Sequence, residues 1–286
     1  MGALSLRLAL TTWFSSSYKY FTCSYPKRTI NSSQNISRKP TIKSSAKANA
    51  REPNMTQPIV LVANTAGGVG RTTLAHSIAT AAAEYGKRLL VIDGDPQATL
   101  TFRCGIENPR LTSAEVFSGK SQLTHALVKT VERFSLLPSA SRLANSELTG
   151  LESLVNLEKD FDLLLIDTPS GPSRITAGLI AIATHVVIPV NSSFHSIRGA
   201  LHTRDFQKAL NPSLPISLVI NNSDEPLLDE TVTTEFKVME PIISRSSEIK
   251  AAEVTTQSIL TFASHSQVSS EIRELTYALL EELGQF

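Results

Sequence analysis

From Pro58 onward, short and wholly apolar runs alternate with stretches of helical period. The runs are PIVLVAN (58–64), RLLVIDGD (88–95), RFSLLPSA (133–140), FDLLLIDT (161–168), HVVIPVN (185–191) and ISLVINN (216–222), with MEPIISRS (239–246) as a further candidate. Polar and apolar residues do not alternate within them, as expected for strands covered on both faces of a sheet. Between and after them, TTLAHSIATAAAEYG (72–86) and SSEIRELTYALLEEL (269–283) read as helices. Such an order predicts an α/β fold built on a doubly wound, mostly parallel sheet. No internal repeat or linker divides this part, so residues 55–286 are expected to form one domain.

The first 54 residues differ. They are rich in Ser, Thr, Asn and Lys and without periodicity, which predicts a disordered basic extension. Three origins fit it: an organellar transit peptide, a basic tail for nucleic acid or membrane, or a segment upstream of a true start at Met55. Nine of the 27 Lys and Arg fall in residues 1–52, against one of the 26 acids. The remainder carries 18 basic and 25 acidic residues, a net charge near −7. Any nucleic-acid contact made by the folded part therefore has to use a local basic patch. Cys23 and Cys104 are the only cysteines, too few for a disulfide framework or a cysteine-ligated zinc or iron–sulfur site, and a reducing compartment is the default reading. The six histidines have no metal-ligand spacing, and no apolar run reaches the ~18 residues a membrane-spanning helix needs.

Chemistry is signalled first by ANTAGGVGRTT (63–73), which lies between the first apolar run and the first helical pattern. Residues 65–72 read TAGGVGRT against the phosphate-loop pattern G-x-x-x-x-G-K-[ST], departing at the first glycine and at the lysine. Gly67, Gly68 and Gly70 still let the backbone turn its N–H groups inward, and the following helix aims its positive end at the same point. Thr72 is positioned to ligate Mg²⁺ and Thr73 to donate to a phosphate. Downstream, Asp93 and Asp95 follow the second apolar run and Asp167 ends the fourth. In a parallel sheet these ends open on the edge that carries the loop, so three carboxylates are expected where a metal–phosphate group would sit.

Together, AGGVGRTT, DGDPQATLT, FDLLLIDTPSG and VVIPVNSSFHSIRGAL resemble the ParA/MinD group of deviant Walker A P-loop ATPases, and the ParA partition proteins more closely. The resemblance runs from about Ile59 to Leu280 and includes FSLLPSASRLANSELTG, a stretch of no obvious chemistry. It implies a P-loop NTPase-like fold and an ATP-dependent homodimer that binds DNA nonspecifically. It also implies a ParB-like or cargo-adaptor protein that stimulates the cycle, so that plasmid, chromosome or other cargo is partitioned from a cytoplasmic, nucleoid-associated position. By position, Gly67, Gly68, Val69, Gly70, Arg71, Thr72 and Thr73 would hold the phosphates of ATP, with Thr72 on Mg²⁺. Asp95 would orient the attacking water and Asp93 would support the metal region. Asp167 would hold Mg²⁺ through water, residues 168–171 would form the γ-phosphate switch, and Asn221 would contact adenine.

Two positions depart from the family. The signature lysine that would reach the other subunit's nucleotide is replaced by Ala66, and the lysine on the β- and γ-phosphates by Arg71. Arginine keeps the charge but not the compact ammonium, so Arg71 remains a catalytic candidate and hydrolysis is expected to be weak. A second reading follows: a non-hydrolysing scaffold or regulatory adaptor that kept the fold and lost the ATPase cycle. Arg245 and Lys250, in ISRSSEIKAA, are the DNA-contact candidates, with Arg198 and Arg204 as weaker ones; a solvated helix surface is the alternative for all four. The acidic closing helix argues against membrane binding of the MinD kind.

Overall fold

The computed structural model describes residues 57–224 and 230–286; the expectations for residues 1–54 and for a start at Met55 lie outside the described residues. Eight strands form one sheet: β1 (Ile59–Val62), β2 (Leu89–Asp93), β3 (Val128–Lys129), β4 (Ser135–Leu137), β5 (Leu163–Asp167), β6 (His185–Val190), β7 (Ile216–Asn221) and β8 (Lys237–Ile243). Their order is β3-β4-β2-β5-β1-β6-β7-β8. Every neighbouring pair is parallel except β3 with β4. The expected α/β, mostly parallel sheet is therefore the observed one. Boundaries differ: the expected strand at 133–140 shortens to Ser135–Leu137, and the last strand starts at Lys237 rather than 239. Strand β3 went unpredicted because two residues carry no periodic signal.

The helices are α1 (Arg71–Glu84), α2 (Thr99–Arg103), α3 (Ser113–Phe117), α4 (Leu123–Ala126), α5 (Arg174–Ile182), α6 (Phe194–Leu210), α7 (Glu230–Glu235), α8 (Ser247–Glu253), α9 (Ile259–Phe262) and α10 (Gln267–Glu282). Successive strand residues point to opposite faces, and the core divides accordingly. Ile59, Leu61, Leu90, Ile92, Leu164 and Ile166 pack with the apolar residues of α3 and α5. Val60, Val62, Leu89, Val91, Leu163 and Leu165 pack with those of α1 and α10. Both faces of the central strands are thus covered, which is why their sequences are apolar without alternation.

One buried carboxylate joins distant parts of the second layer. Glu132, in the β3–β4 turn, bonds His76 of α1. Its other oxygen accepts from Ser258 N at 2.6 Å and Thr261 Oγ1 at 3.0 Å, at the start of α9. The closing helix α10 buries Val268, Ile272, Leu275 and Leu279, so it is a packing helix. Among the described residues no helix is long and apolar enough to cross a membrane.

Candidate functional site

Parallel pairing decides what meets at the carboxyl edge of the sheet. In register, Asp93 faces Asp167 across β2 and β5, and Val62 faces Asp167 across β1 and β5. The loop that leaves β1 at Ala63 therefore starts beside two strand-end aspartates. It turns into α1 through Gly68 (φ 72°) and Gly70 (φ 88°), left-handed conformations in which a side chain would be strained. A Cβ added at Gly67 or Gly68 would meet nothing within 4 Å, so this rim of the loop is open.

The base of the loop is fastened to α6. Asn64 Nδ2 donates to Pro189 O at 2.8 Å and its Oδ1 accepts from Ala66 N at 2.9 Å. Thr65 N donates to Thr203 Oγ1 at 2.9 Å, and Thr65 Oγ1 to Gly199 O at 2.9 Å. Ala66 is 3% exposed and lies against Gly199. Gly199 falls within the VVIPVNSSFHSIRGAL stretch and Thr203 just beyond it, but only their placement on α6 reveals these contacts. The 168–171 segment joins the same assembly, with Thr168 Oγ1 donating to Val62 O at 2.9 Å and Gly171 N to Thr65 O at 3.0 Å.

Arg71 turns back into its own loop. Its Nη1 donates to Asn64 O, and to Ala66 O at 2.9 Å, while Nε is buried without a partner. Burial pulls the guanidinium below its ordinary pKa, opposed by the charges of Asp167 and Asp95. The one cation of the loop thus faces the carboxylates while bonded to loop carbonyls.

The three aspartates differ in what they do. Asp167 is fully buried, accepts from Thr72 Oγ1 at 2.7 Å through Oδ2, and has Oδ1 without a partner. Burial, then the neighbouring Asp93, push it up to about 8, against the opposing effects of Thr72 and Arg71. Asp93 is expected to support the metal, but both of its oxygens are engaged. Oδ2 accepts from Thr101 N at 2.9 Å and Thr101 Oγ1 at 2.7 Å, and Oδ1 from Asp95 N at 3.0 Å. These bonds hold the Asp95 turn and the start of α2 against the end of β2. Burial still raises Asp93 to about 6, its hydrogen bonds from Thr101 and Asp95 limiting the rise. Asp95 is half-buried and its Oδ1 accepts from Gln97 N at 2.9 Å, which closes the turn before α2.

Two other expected contacts are occupied within the chain. Asn221, the expected adenine contact, donates from Nδ2 to Val69 O at 3.0 Å and packs beside Gly70. Thr73, the expected phosphate donor, gives its hydroxyl proton to Glu253 Oε1 at 3.0 Å and accepts from Arg103 Nη1 at 2.8 Å. Neither Arg103 nor Glu253 belongs to a motif. Arg245 and Lys250 are exposed near α8 among acids: Arg245 lies 3.8 Å from Asp224, and Glu248 shares the short helix with Lys250. Arg204 is tied to Asp205 and Glu235 and only 14% exposed.

These residues fit a magnesium nucleotide. The glycine rim is open, Thr72 and Asp167 form a hydroxyl–carboxylate pair, and Asp167 Oδ1 is an orphaned buried acceptor suited to a metal-bound water. Among the described residues no group of three or more His, Cys, Asp or Glu is set to hold a metal, so Mg²⁺ here would share its coordination with phosphate and water oxygens.

Comparison with known proteins agrees. The model of the AAA_31 family, an AAA domain, matches residues 57–216. The chromosome-partitioning ATPase Soj of Thermus thermophilus is 34% identical over 168 residues, 54% of this chain and 65% of Soj; the chain thus spans just under two thirds of that relative. Cobyrinic acid a,c-diamide synthase of Mycobacterium smegmatis, solved with an ATP analog and magnesium, is 28% identical with a TM-score of 0.65, covering 79% of this chain and 95% of that one. The cell division ATPase MinD of Pyrococcus furiosus shares the fold, with a TM-score of 0.71 at 20% identity over 79% of this chain and 99% of MinD. A matched family model over more than half the chain leads to one conclusion, which the Soj relative and the fold shared with MinD accompany: this chain belongs to the AAA_31 family of AAA domains.

Proposed function

We propose that this chain is a ParA-like, nucleotide-dependent dimerising switch with slow ATP hydrolysis, binding DNA nonspecifically and positioning DNA or other cargo with the help of a stimulating protein. The observation that carries the reading is the Thr72–Asp167 pair beneath an open glycine rim, with Arg71 facing it. Thr72 and Asp167 would hold Mg²⁺, directly and through water, while the backbone N–H groups of residues 67–73 would cradle the phosphates. Mg²⁺, when bound, neutralises charge on the terminal phosphates. Asp95, held by Asp93, would orient the attacking water, and Arg71 would leave its loop carbonyls for phosphate oxygens.

Positioning and charge neutralisation dominate such chemistry. With Ala66 buried, nothing at that position can reach another subunit, which supports slow turnover. The same observation favours the second reading, an adaptor that binds nucleotide without completing a cycle. DNA contact through Arg245 and Lys250 would be salt-dependent and opposed by Asp224 beside Arg245 and by Glu248 on the helix of Lys250.

The test is to measure Mg-ATP binding, turnover and DNA retention across salt with the full chain. The switch reading expects binding, slow turnover and ATP-dependent DNA retention that Arg245→Ala with Lys250→Ala reduces. Absence of nucleotide binding sinks it; binding without turnover, with DNA affinity indifferent to ATP, supports the adaptor instead.

A further inference from the structure

We infer that Arg103 is a further phosphate-facing cation of the nucleotide site, held in reserve by Glu253, and that its release from Glu253 on nucleotide binding frees α8. The inference rests on the reading that a magnesium nucleotide binds at residues 67–73.

Thr73 opens the argument because a hydroxyl has one proton to donate. In this structure that proton goes to Glu253 Oε1 at 3.0 Å. For Thr73 to donate to a phosphate, Glu253 has to give up the bond. A second contact goes with it, because Arg103 Nη2 pairs with the same Oε1 at 2.5 Å. Arg103 also donates from Nη1 to Thr73 Oγ1 at 2.8 Å, so an anion bonded to that hydroxyl arrives beside the guanidinium. Phosphate charge attracts Arg103 and repels Glu253. With five donors, Arg103 can keep Thr73 while it exchanges its anionic partner. Its side chain is 15% exposed, against 40% for Glu253, so the cation is the fixed member and the acid the one that can leave.

What Glu253 carries gives the exchange a consequence. It is the last residue of α8, between two anchored points. Before α8, Ser244 N and Oγ donate to Glu271 at 2.8 and 2.7 Å; after it, Ser258 N donates to Glu132 at 2.6 Å. Between these anchors Ala252 is buried, and Glu253 pairs with Arg103 at the end of α2 and accepts from Thr73 in the first turn of α1. Loss of these contacts loosens residues 245–257 without detaching either end. Lys250 lies on this segment, so nucleotide occupancy is read out on the candidate DNA-contact surface.

The experiment is titration of Mg-ADP and Mg-ATP into the full chain and its variants by calorimetry, with hydrogen exchange of residues 245–257 measured with and without nucleotide. Arg103→Ala is expected to weaken binding at least about tenfold, the range of a lost charged hydrogen bond. Glu253→Gln is expected to tighten it about fivefold or more, and to raise exchange over 245–257 in the nucleotide-free protein to the level nucleotide produces in the parent. Arg103→Lys guards against misfolding and should bind better than Arg103→Ala. If the parent chain binds no nucleotide, the underlying reading fails and this inference with it. If the parent binds but Arg103→Ala and Glu253→Gln leave affinity and exchange unchanged, the inference alone is overturned.

Discussion

A Cβ built on Gly199 would stand 2.6 Å from the Cβ of Ala66 and 2.7 Å from its amide nitrogen. The first turn of the phosphate loop and helix α6 therefore touch with no room for a further carbon. Gly199→Ala is expected to cost about 1–3 kcal/mol, as overpacking does, and to weaken Mg-ATP binding by shifting the loop. Ala66→Lys, which places there the lysine that the family resemblance implies, is expected to destabilise rather than rescue, because its stem and charge enter a buried contact. Denaturant unfolding and turnover of both variants check this; a stable, faster Ala66→Lys protein would disprove the contact.

Asp167→Asn separates stability from function. An orphaned buried carboxylate oxygen beside a second aspartate destabilises the nucleotide-free protein, so the amide should raise its unfolding midpoint. The same change removes the expected water-mediated hold on magnesium. Nucleotide binding measured with and without Mg²⁺ should then lose its metal-dependent increment.

Asn221→Ala discriminates between two roles. As a contact to adenine, Asn221 would confer a preference for ATP over GTP. As the donor to Val69 O, it pins the loop, and its loss should cost about 1 kcal/mol and weaken ATP and GTP equally. Competition titrations with the two nucleotides read the difference, and equal weakening is the expected result.

Glu115, which is not among the candidate site residues, supplies a pH dependence of its own. It closes the capping box of α3 with Thr112 and accepts from Arg142 at 2.6 and 3.0 Å. The Arg142 hydrogen bond, opposed by burial and helped by Thr112, holds its carboxyl down to about 2, below the usual value of 4.5. Because the folded pKa is the lower one, this stabilisation is complete above about 4.5 and lost as pH falls toward about 2. Glu115→Gln keeps an acceptor for the capping box and removes the charge, so it should cost up to about 1 kcal/mol at neutral pH, the scale of an exposed ion pair. The gap from the parent protein should close through that acidic window in pH-dependent unfolding.

Much of the sheet was legible because its strands are buried on both faces, and burial writes itself as continuous Val, Ile and Leu. The meeting of Asp93 with Asp167 was legible for a related reason: parallel strands bring their carboxyl ends to one edge, and the register pairs the two residues directly. What those side chains bond to was not. Asp93 turns to Thr101, eight residues on, and Asn221 to Val69, 152 residues back; neither contact has a spacing that a pattern could carry. Strand β3 was hidden by its length, and Arg103 by standing in a stretch, TFRCG, without periodicity or motif.

Glu132 has a consequence for where this chain can be cut. Its carboxylate is satisfied jointly by His76 and by Ser258 and Thr261, partners that lie on opposite sides of it in the chain. A fragment ending near residue 216 would keep the glycine loop and its aspartates but lose β7, β8, the α9 partners of Glu132 and the α10 layer over α1. It would strand a charged group in an opened core and leave β6 as a bare apolar edge. The residues that mark the candidate nucleotide site and the residues needed to make it an autonomous folding unit are therefore different sets, and the second extends almost to the end of α10.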